Sequence, residues 1–174
     1  MGIPDKAILC YVQLGAGQIN EIESDLNLTL EALDEHPQVY TILGESLIGK
    51  SEIAKGERVR VLRDYPNSLH FKDFDFAVMA SGYNSFHEAL EAGLPTILYP
   101  NMKTGRDDQL ARAKAGEEAG CMVVLKERTR EKVQIAIDRM LDKEVRSLMR
   151  YRCETLRRKN GADQVSDWIS EQLS

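Results

Sequence analysis

The sequence predicts an α/β fold, a three-layer sandwich in which an open, mostly parallel sheet of about six strands carries helices on both faces. Three observations predict it. Short apolar runs recur at strand length, at Ala7–Leu14, Val39–Leu43, Val59–Leu62, Phe76–Met79 and Cys121–Leu125, and turn residues bound them. Between them apolar residues fall three and four apart, most regularly at Ile19, Ile22, Leu26, Leu30 and Leu33, as on an amphipathic helix. Two strand-to-helix junctions, Gly15-Ala16-Gly17 and Ser81-Gly82, are glycine turns. Strands that alternate with helices are joined by crossovers, and crossovers give parallel pairing.

At 174 residues the chain reads as one domain, with a core over about 7–142 and C-terminal helices over about 144–173. Charged residues are 29% and hydrophobic residues 43%, the balance of a globular protein rather than a disordered one. A net charge of −5 argues against a broad nucleic-acid surface. No apolar run approaches the roughly 20 residues of a membrane span, and no secretory signal opens the chain, so a cytoplasmic location is expected. Cys10, Cys121 and Cys153 are odd in number and show no metal-ligand spacing; they read as reduced core thiols.

Taken in order, the first strand, its glycine turn and the following helix make a Rossmann-like start. The dinucleotide fingerprint is incomplete, because Asn20 stands where a third glycine would fall. Glu21 and Glu23 suit the helix dipole but not a phosphate. After the second strand comes Glu45, where a dinucleotide domain would hold its ribose acid, and then a polar loop or short helix from Gly44 to Gly56. Arg63-Asp64-Tyr65-Pro66 turns the chain after the third strand, and Asn67–Phe74 is a short helix in which His70 packs half-buried. Gly93-Leu94-Pro95 ends the helix that follows the fourth strand. Asn101–Arg106 has the polarity and glycine of a mobile loop, and Asp107-Asp108-Gln109 opens a helix. Further helices are expected over Thr129–Leu141, Glu144–Lys159 and Ala162–Leu173. The basic run Arg146, Arg150, Arg152, Arg157, Arg158 and Lys159 reads as a solvated face, with peripheral contact to an anionic membrane or a partner as the alternative.

Chemistry concentrates between Phe76 and Arg112. A strand entering a helix through Ser81-Gly82 brings free N–H groups and the positive end of the helix dipole to one point, which attracts phosphate. At about 100° per residue, Ser81, Asn84, Ser85 and Glu88 share one stripe, with Tyr83, Phe86 and Leu90 opposite. Hydroxyls and an amide near the helix start, with a carboxylate deeper, suit a nucleoside diphosphate: donors for phosphate, then an acceptor for ribose. The plainer alternative makes Ser81 an ordinary cap, Asn84 and Ser85 solvated, and Glu88 a surface charge. His87 lies about 100° from Glu88 on the helix, so the two do not form a facing pair.

Ala80-Ser81-Gly82-Tyr83-Asn84-Ser85, Glu88, Gly93-Leu94-Pro95 and Asp108-Gln109 together resemble the nucleotide-sugar signature of GT-B glycosyltransferases, in the C-terminal domain of the family 28 and UDP-glycosyltransferase superfamily. The resemblance covers roughly residues 8–125. It implies a nucleoside-diphosphate sugar as donor, with UDP favoured, hexosyl transfer to an acceptor hydroxyl, and no metal or other cofactor. By resemblance Ser81, Gly82, Asn84, Ser85, Gly15 and Gly17 would bind the diphosphate, Glu88 the ribose, and Asp108 with Gln109 the sugar. The backbone at Arg63 would read the base. Ala80 departs from the histidine of plant enzymes, and Arg112 from a frequent asparagine. In that family the acceptor site and general base come largely from an N-terminal domain, which this sequence is expected to lack. The chain is therefore expected to pair with such a domain or a partner subunit, and alone to bind donor without robust transfer. Two rivals stay open: a nucleotide-sugar epimerase of the same fold, and a nicotinamide dinucleotide-binding domain based on Gly15-Ala16-Gly17 and Glu45.

Overall fold

A computed structural model describes residues 2–15, 19–44, 56–103, 107–157 and 161–173. Six strands form one sheet: β1 (Ile8–Gln13), β2 (Val39–Gly44), β3 (Val59–Leu62), β4 (Phe76–Ala80), β5 (Thr96–Tyr99) and β6 (Met122–Val124). Their order is β3-β2-β1-β4-β5-β6, and every pair is parallel, which sharpens the expected mostly parallel sheet. The fifth strand is the run after Pro95 that feeds Pro100. This is the doubly wound order, and it reverses direction between β1 and β4.

Alternation along the strands builds two cores. Cys10 and Val12, Phe76 and Val78, and Ile97 and Tyr99 point to one face. There they meet Leu30 and Leu33 of α1 (Ile19–Asp34) and Val133, Ile137 and Met140 of α4 (Arg130–Leu141). Tyr11, Ala77, Met79 and Leu98 point to the other, against Phe86 and Leu90 of α2 (Tyr83–Ala92) and Ala113 of α3 (Gln109–Glu118). A 3-10 helix at Asn67–Asp73 adds Phe71 to this second core. Period-two alternation with both sides buried is what a sheet covered on both faces requires. Gly93 ends α2 in the left-handed region at φ 67°, and its N–H and that of Leu94 close the last turn onto Leu90 and Ala89.

The three cysteines are buried and free, and His70 is half-buried and pairs with Asp64 at 2.9 Å. The basic run is a solvated face only in part: Arg152 and Arg157 are exposed, while Arg146 and Arg150 are not. Arg146, on α5 (Lys143–Leu156), is buried and donates through Nη1 to the carbonyls of Met140 (2.7 Å) and Leu141 (2.9 Å), and through Nη2 to Asp75 (3.3 Å). Arg150 Nη2 donates to the carbonyl of Phe74 at 2.7 Å. The two arginines fasten α5 to the turn that enters β4, because a turn at the amino end of a buried strand has carbonyls that need donors. Arg158 and Lys159 lie outside the described residues. The last helix, α6 (Gly161–Gln172), leaves Trp168 and Val165 exposed. Among the described residues no helix is long and apolar enough to cross a membrane.

Candidate functional site

The switch point of a doubly wound sheet leaves a crevice at the carboxyl ends of its strands. Here that crevice is a cleft of about 580 Å³, lined by Leu14 and Gly15 after β1, Ala80, Gly82 and Ser85 at the β4–α2 junction, and Asp25 on α1. Tyr99, Asn101 and Lys103 at the end of β5, Gln109 at the start of α3 and Arg128 after β6 complete it. Its size is ordinary for a small-molecule site. A second groove of about 400 Å³ lies near the opposite end of the strands, by Asp34, Thr41 and Arg58.

Two backbone features shape the cleft. Gly15 adopts φ 79°, and a Cβ there would stand 3.2 Å from the Cβ of Ala80, so the β1 turn closes directly on the end of β4. Gly82 is the N-cap of α2 and contributes no side-chain cap, and the first helical bond runs from Phe86 N to Gly82 O at 3.0 Å. The N–H groups of Tyr83, Asn84 and Ser85 thus have no intrahelical acceptor. The start of α3 differs, because the Asp108 carboxylate accepts from Ala111 N at 2.9 Å.

Of the residues the sequence singled out, Gly15, Gly82, Ser85 and Gln109 line the cleft together. Ser81 does not. It is fully buried beneath the turn, and its hydroxyl donates to Gln109, at 3.3 Å to the carbonyl and 3.5 Å to Oε1. It precedes the first helical residue, so the helical wheel did not apply to it. Tyr83 departs from its expected side as well. It is 62% exposed, with its ring against His87 (centroids 4.4 Å apart) and under the Arg112 guanidinium (5.3 Å). As the first residue of α2 it lies outside the core that covers Phe86 and Leu90. Asn84 and Glu88 are exposed on α2 outside the cleft wall, and Glu88 is near enough to Tyr11 for its charge to act on that hydroxyl. Arg63 is exposed after β3. Asp108 is occupied as a helix cap, the role an acid at a helix start most simply fills. Gln109 Oε1 accepts from Asn101 N at 3.0 Å, which aims its amide donors elsewhere. Gly17, Glu45 and the loop residues 104–106 lie outside the described residues.

Sequence reasoning missed several contributors. Arg112 Nη1 donates to the Ser81 carbonyl at 2.8 Å and its other terminal nitrogen pairs with Asp107, tying the β4–α2 turn to α3. The Arg112 hydrogen bond holds the Asp107 carboxyl below its ordinary range. Arg128 lies over the Tyr99 ring (5.2 Å), donates to the Pro100 carbonyl at 2.6 Å and pairs with Asp25 at 3.4 Å. Tyr99 shares a 2.9 Å hydrogen bond with Thr29, whose hydroxyl also donates to the Asp25 carbonyl at 2.7 Å. One signal for Arg128 was available, its place just past the carboxyl end of a strand.

Tyr11 and Tyr99 have hydroxyls pushed up to about 12, chiefly by burial, with Glu88 adding at Tyr11 and Asp25 at Tyr99. The unfolded chain, with tyrosines near the ordinary value of about 10, gives up these protons first. Stability from their burial is therefore complete below pH ~10 and is lost as pH rises through about 12, on the order of 2 kcal/mol for each. Urea unfolding at about pH 9 and about pH 11.5 should show that loss, and Tyr99→Phe should reduce it.

A doubly wound parallel sheet with an open cleft at its switch point places the chain among the Rossmann-like α/β proteins. More specifically, the chain belongs to the glycosyltransferase family 28 C-terminal domain family, whose model matches residues 18–165. Solved structures of similar fold include MurG of Acinetobacter baumannii, with 16% identity, a TM-score of 0.75 and coverage of 97% of this chain and 51% of that one. The glycotransferase of kitacinnamycin aligns at 20% identity and TM-score 0.72, over 97% of this chain and 44% of its own. The spinosyn rhamnosyltransferase SpnG, solved with thymidine diphosphate, aligns at 17% and 0.67, over 88% and 43%. The chain thus spans about half the length of these enzymes. No curated protein matches it in sequence.

Proposed function

We propose that this chain is the donor-binding half of a glycosyltransferase, holding a nucleoside-diphosphate sugar, with UDP as the nucleotide, for hexosyl transfer to an acceptor hydroxyl. The observation that carries the reading is the uncapped start of α2 opening beside Gly15 and Ser85 into the cleft at the β1/β4 switch point. Order along the sheet supports it. The candidate base contact (Arg63) follows β3, the diphosphate candidates follow β1 and β4, and the sugar candidate Gln109 stands by the end of β5. Adjacent strands are about 4.8 Å apart, so a nucleotide sugar laid along this edge meets its partners in its own covalent order.

In the reaction the acceptor oxygen bonds to the anomeric carbon while the bond from that carbon to the diphosphate oxygen breaks, and the diphosphate leaves with the bonding pair. The N–H groups at the start of α2 and the Ser85 hydroxyl would stabilise that charge, so the reading calls for no metal ion. Glu88, one turn further on α2, would take the ribose hydroxyls. The acceptor proton would pass to a base on an N-terminal domain or partner subunit, which also completes the acceptor site.

Calorimetric titration tests the reading. UDP and UDP-glucose should bind and NAD should not, with TDP measured beside them because one similar enzyme was solved with thymidine diphosphate. Glu88→Ala, losing charged hydrogen bonds worth about 1.5–3 kcal/mol, should weaken UDP roughly 10- to 100-fold. Binding of NAD without UDP would overturn the reading in favour of a dinucleotide domain. Conversion of the bound sugar to its epimer, read by NMR, would favour an epimerase instead.

A further inference from the structure

We propose that Asp25 and Arg128 form a subsite for the hydroxyls of the donor's sugar, an inference that rests on the nucleotide-sugar reading of the cleft. Both line the cleft and both are largely but not wholly covered, their side chains 25% and 22% exposed. The guanidinium is held from several directions: the Tyr99 ring beneath it, the Pro100 carbonyl accepting from Nη2, and the Asp25 carboxylate ion-paired with Nη1 at 3.4 Å. Each terminal nitrogen carries two N–H groups, and among the described residues only one of these four, on Nη2, is used in a hydrogen bond, to Pro100.

Position selects the part of the ligand. Arg128 follows β6, but its guanidinium reaches back over the end of β5, onto Tyr99 and Pro100. That places it about one strand spacing, ~5 Å, beyond the β4 turn at Gly82, on the side away from β1 and the base candidate. A group attached to the far end of a diphosphate at Gly82 would lie there. Charge selects the chemistry. Asp25 offsets the charge of Arg128 and would repel a phosphate or carboxylate. A hydroxyl both donates and accepts, so adjacent hydroxyls of a hexose can satisfy a guanidinium and a carboxylate at once. Gln109 also lines this cleft, its Oε1 accepting from Asn101 N and its side chain hydrogen-bonded to Asp107.

The competing view is that the pair only tethers α1 to β5 and β6. Calorimetry on the full chain separates the two, using UDP and UDP-glucose with wild type, Arg128→Gln, Arg128→Lys and Asp25→Asn. A sugar subsite changes the ratio of the UDP-glucose Kd to the UDP Kd by about tenfold or more in Arg128→Gln and in Asp25→Asn, with UDP alone shifting less than about twofold. Arg128→Lys keeps the charge but not the fork and should change the ratio as well. If UDP and UDP-glucose weaken by the same factor, or neither changes, the pair is a tether and the inference fails while the donor reading stands. If wild type binds neither, the donor reading fails and takes the inference with it. A thermal melt of each variant identifies loss of fold, and Asp25→Asn, the near-isosteric change, decides the matter should Arg128→Gln not fold.

Discussion

Arg146→Met should destabilise the chain by about 2–4 kcal/mol, the cost of leaving buried polar groups without a charged partner. At roughly 2–4 °C per kcal/mol for a domain of this size, the melting temperature should fall by about 5–15 °C. The side chain donates to two carbonyls at the end of α4 and to Asp75, whose other carboxylate oxygen accepts from Leu9 N at 2.9 Å. Methionine fills much of the volume but gives no donor, so the carbonyls of Met140 and Leu141 and one oxygen of Asp75 lose this partner together. Arg150→Met should cost less, because among the described residues Arg150 bonds the Phe74 and Asp75 carbonyls alone and α5 stays fastened through Arg146. Equal losses from the two variants, or a loss below about 0.5 kcal/mol from Arg146→Met, the level of ordinary surface substitutions, would show that the network does not fasten α5. Far below the melting point UDP affinity should hold, since this fastening sits at the amino end of β4 and the cleft at its carboxyl end.

The contrast between those two ends shows what the sequence made legible. Apolar runs mark strands because a sheet covered on both faces buries consecutive residues, and glycine turns mark the junctions that open on the switch point. Hence Gly82 and Ser85 were found from local pattern, and Gly15 from its glycine turn together with the family resemblance, and the three line one cleft. Local pattern failed where a side chain's surroundings come from distant elements. Arg146 sits in a run of basic residues like any exposed helix face, and only the approach of Asp75 makes it internal. Arg128 and Asp25 are far apart in the chain and meet because α1 covers the face of the sheet to which Tyr99, at the end of β5, points. Ser81 and Tyr83 were misplaced for a different reason: a helical wheel extended to the entry turn assigns directions that the turn does not have. Asp108 fills the cap an acid at that position commonly fills, and the capped start of α3 beside the uncapped start of α2 is a difference the two sequences do not announce.

That difference leads to the test with the largest expected effect on binding. Ser85 is the third residue of α2, where an acidic side chain favours a helix through the dipole and the free N–H groups. Ser85→Asp should therefore leave stability unchanged or raise it by about 0.3–1 kcal/mol. The same carboxylate would stand in the cleft where the diphosphate is proposed to bind, taking over its donors and repelling its charge. Two unit charges about 4 Å apart near a protein surface interact by roughly 4 kcal/mol, so UDP affinity should drop more than about 100-fold. Opposite signs on stability and binding are the diagnostic, because a variant that merely damaged the fold would lower both. Ser85→Ala, which removes one neutral hydroxyl and adds no charge, should cost only about 3- to 10-fold. If Ser85→Asp binds UDP as well as the parent chain, the diphosphate lies elsewhere, and the start of α2 is only a helix end that water satisfies.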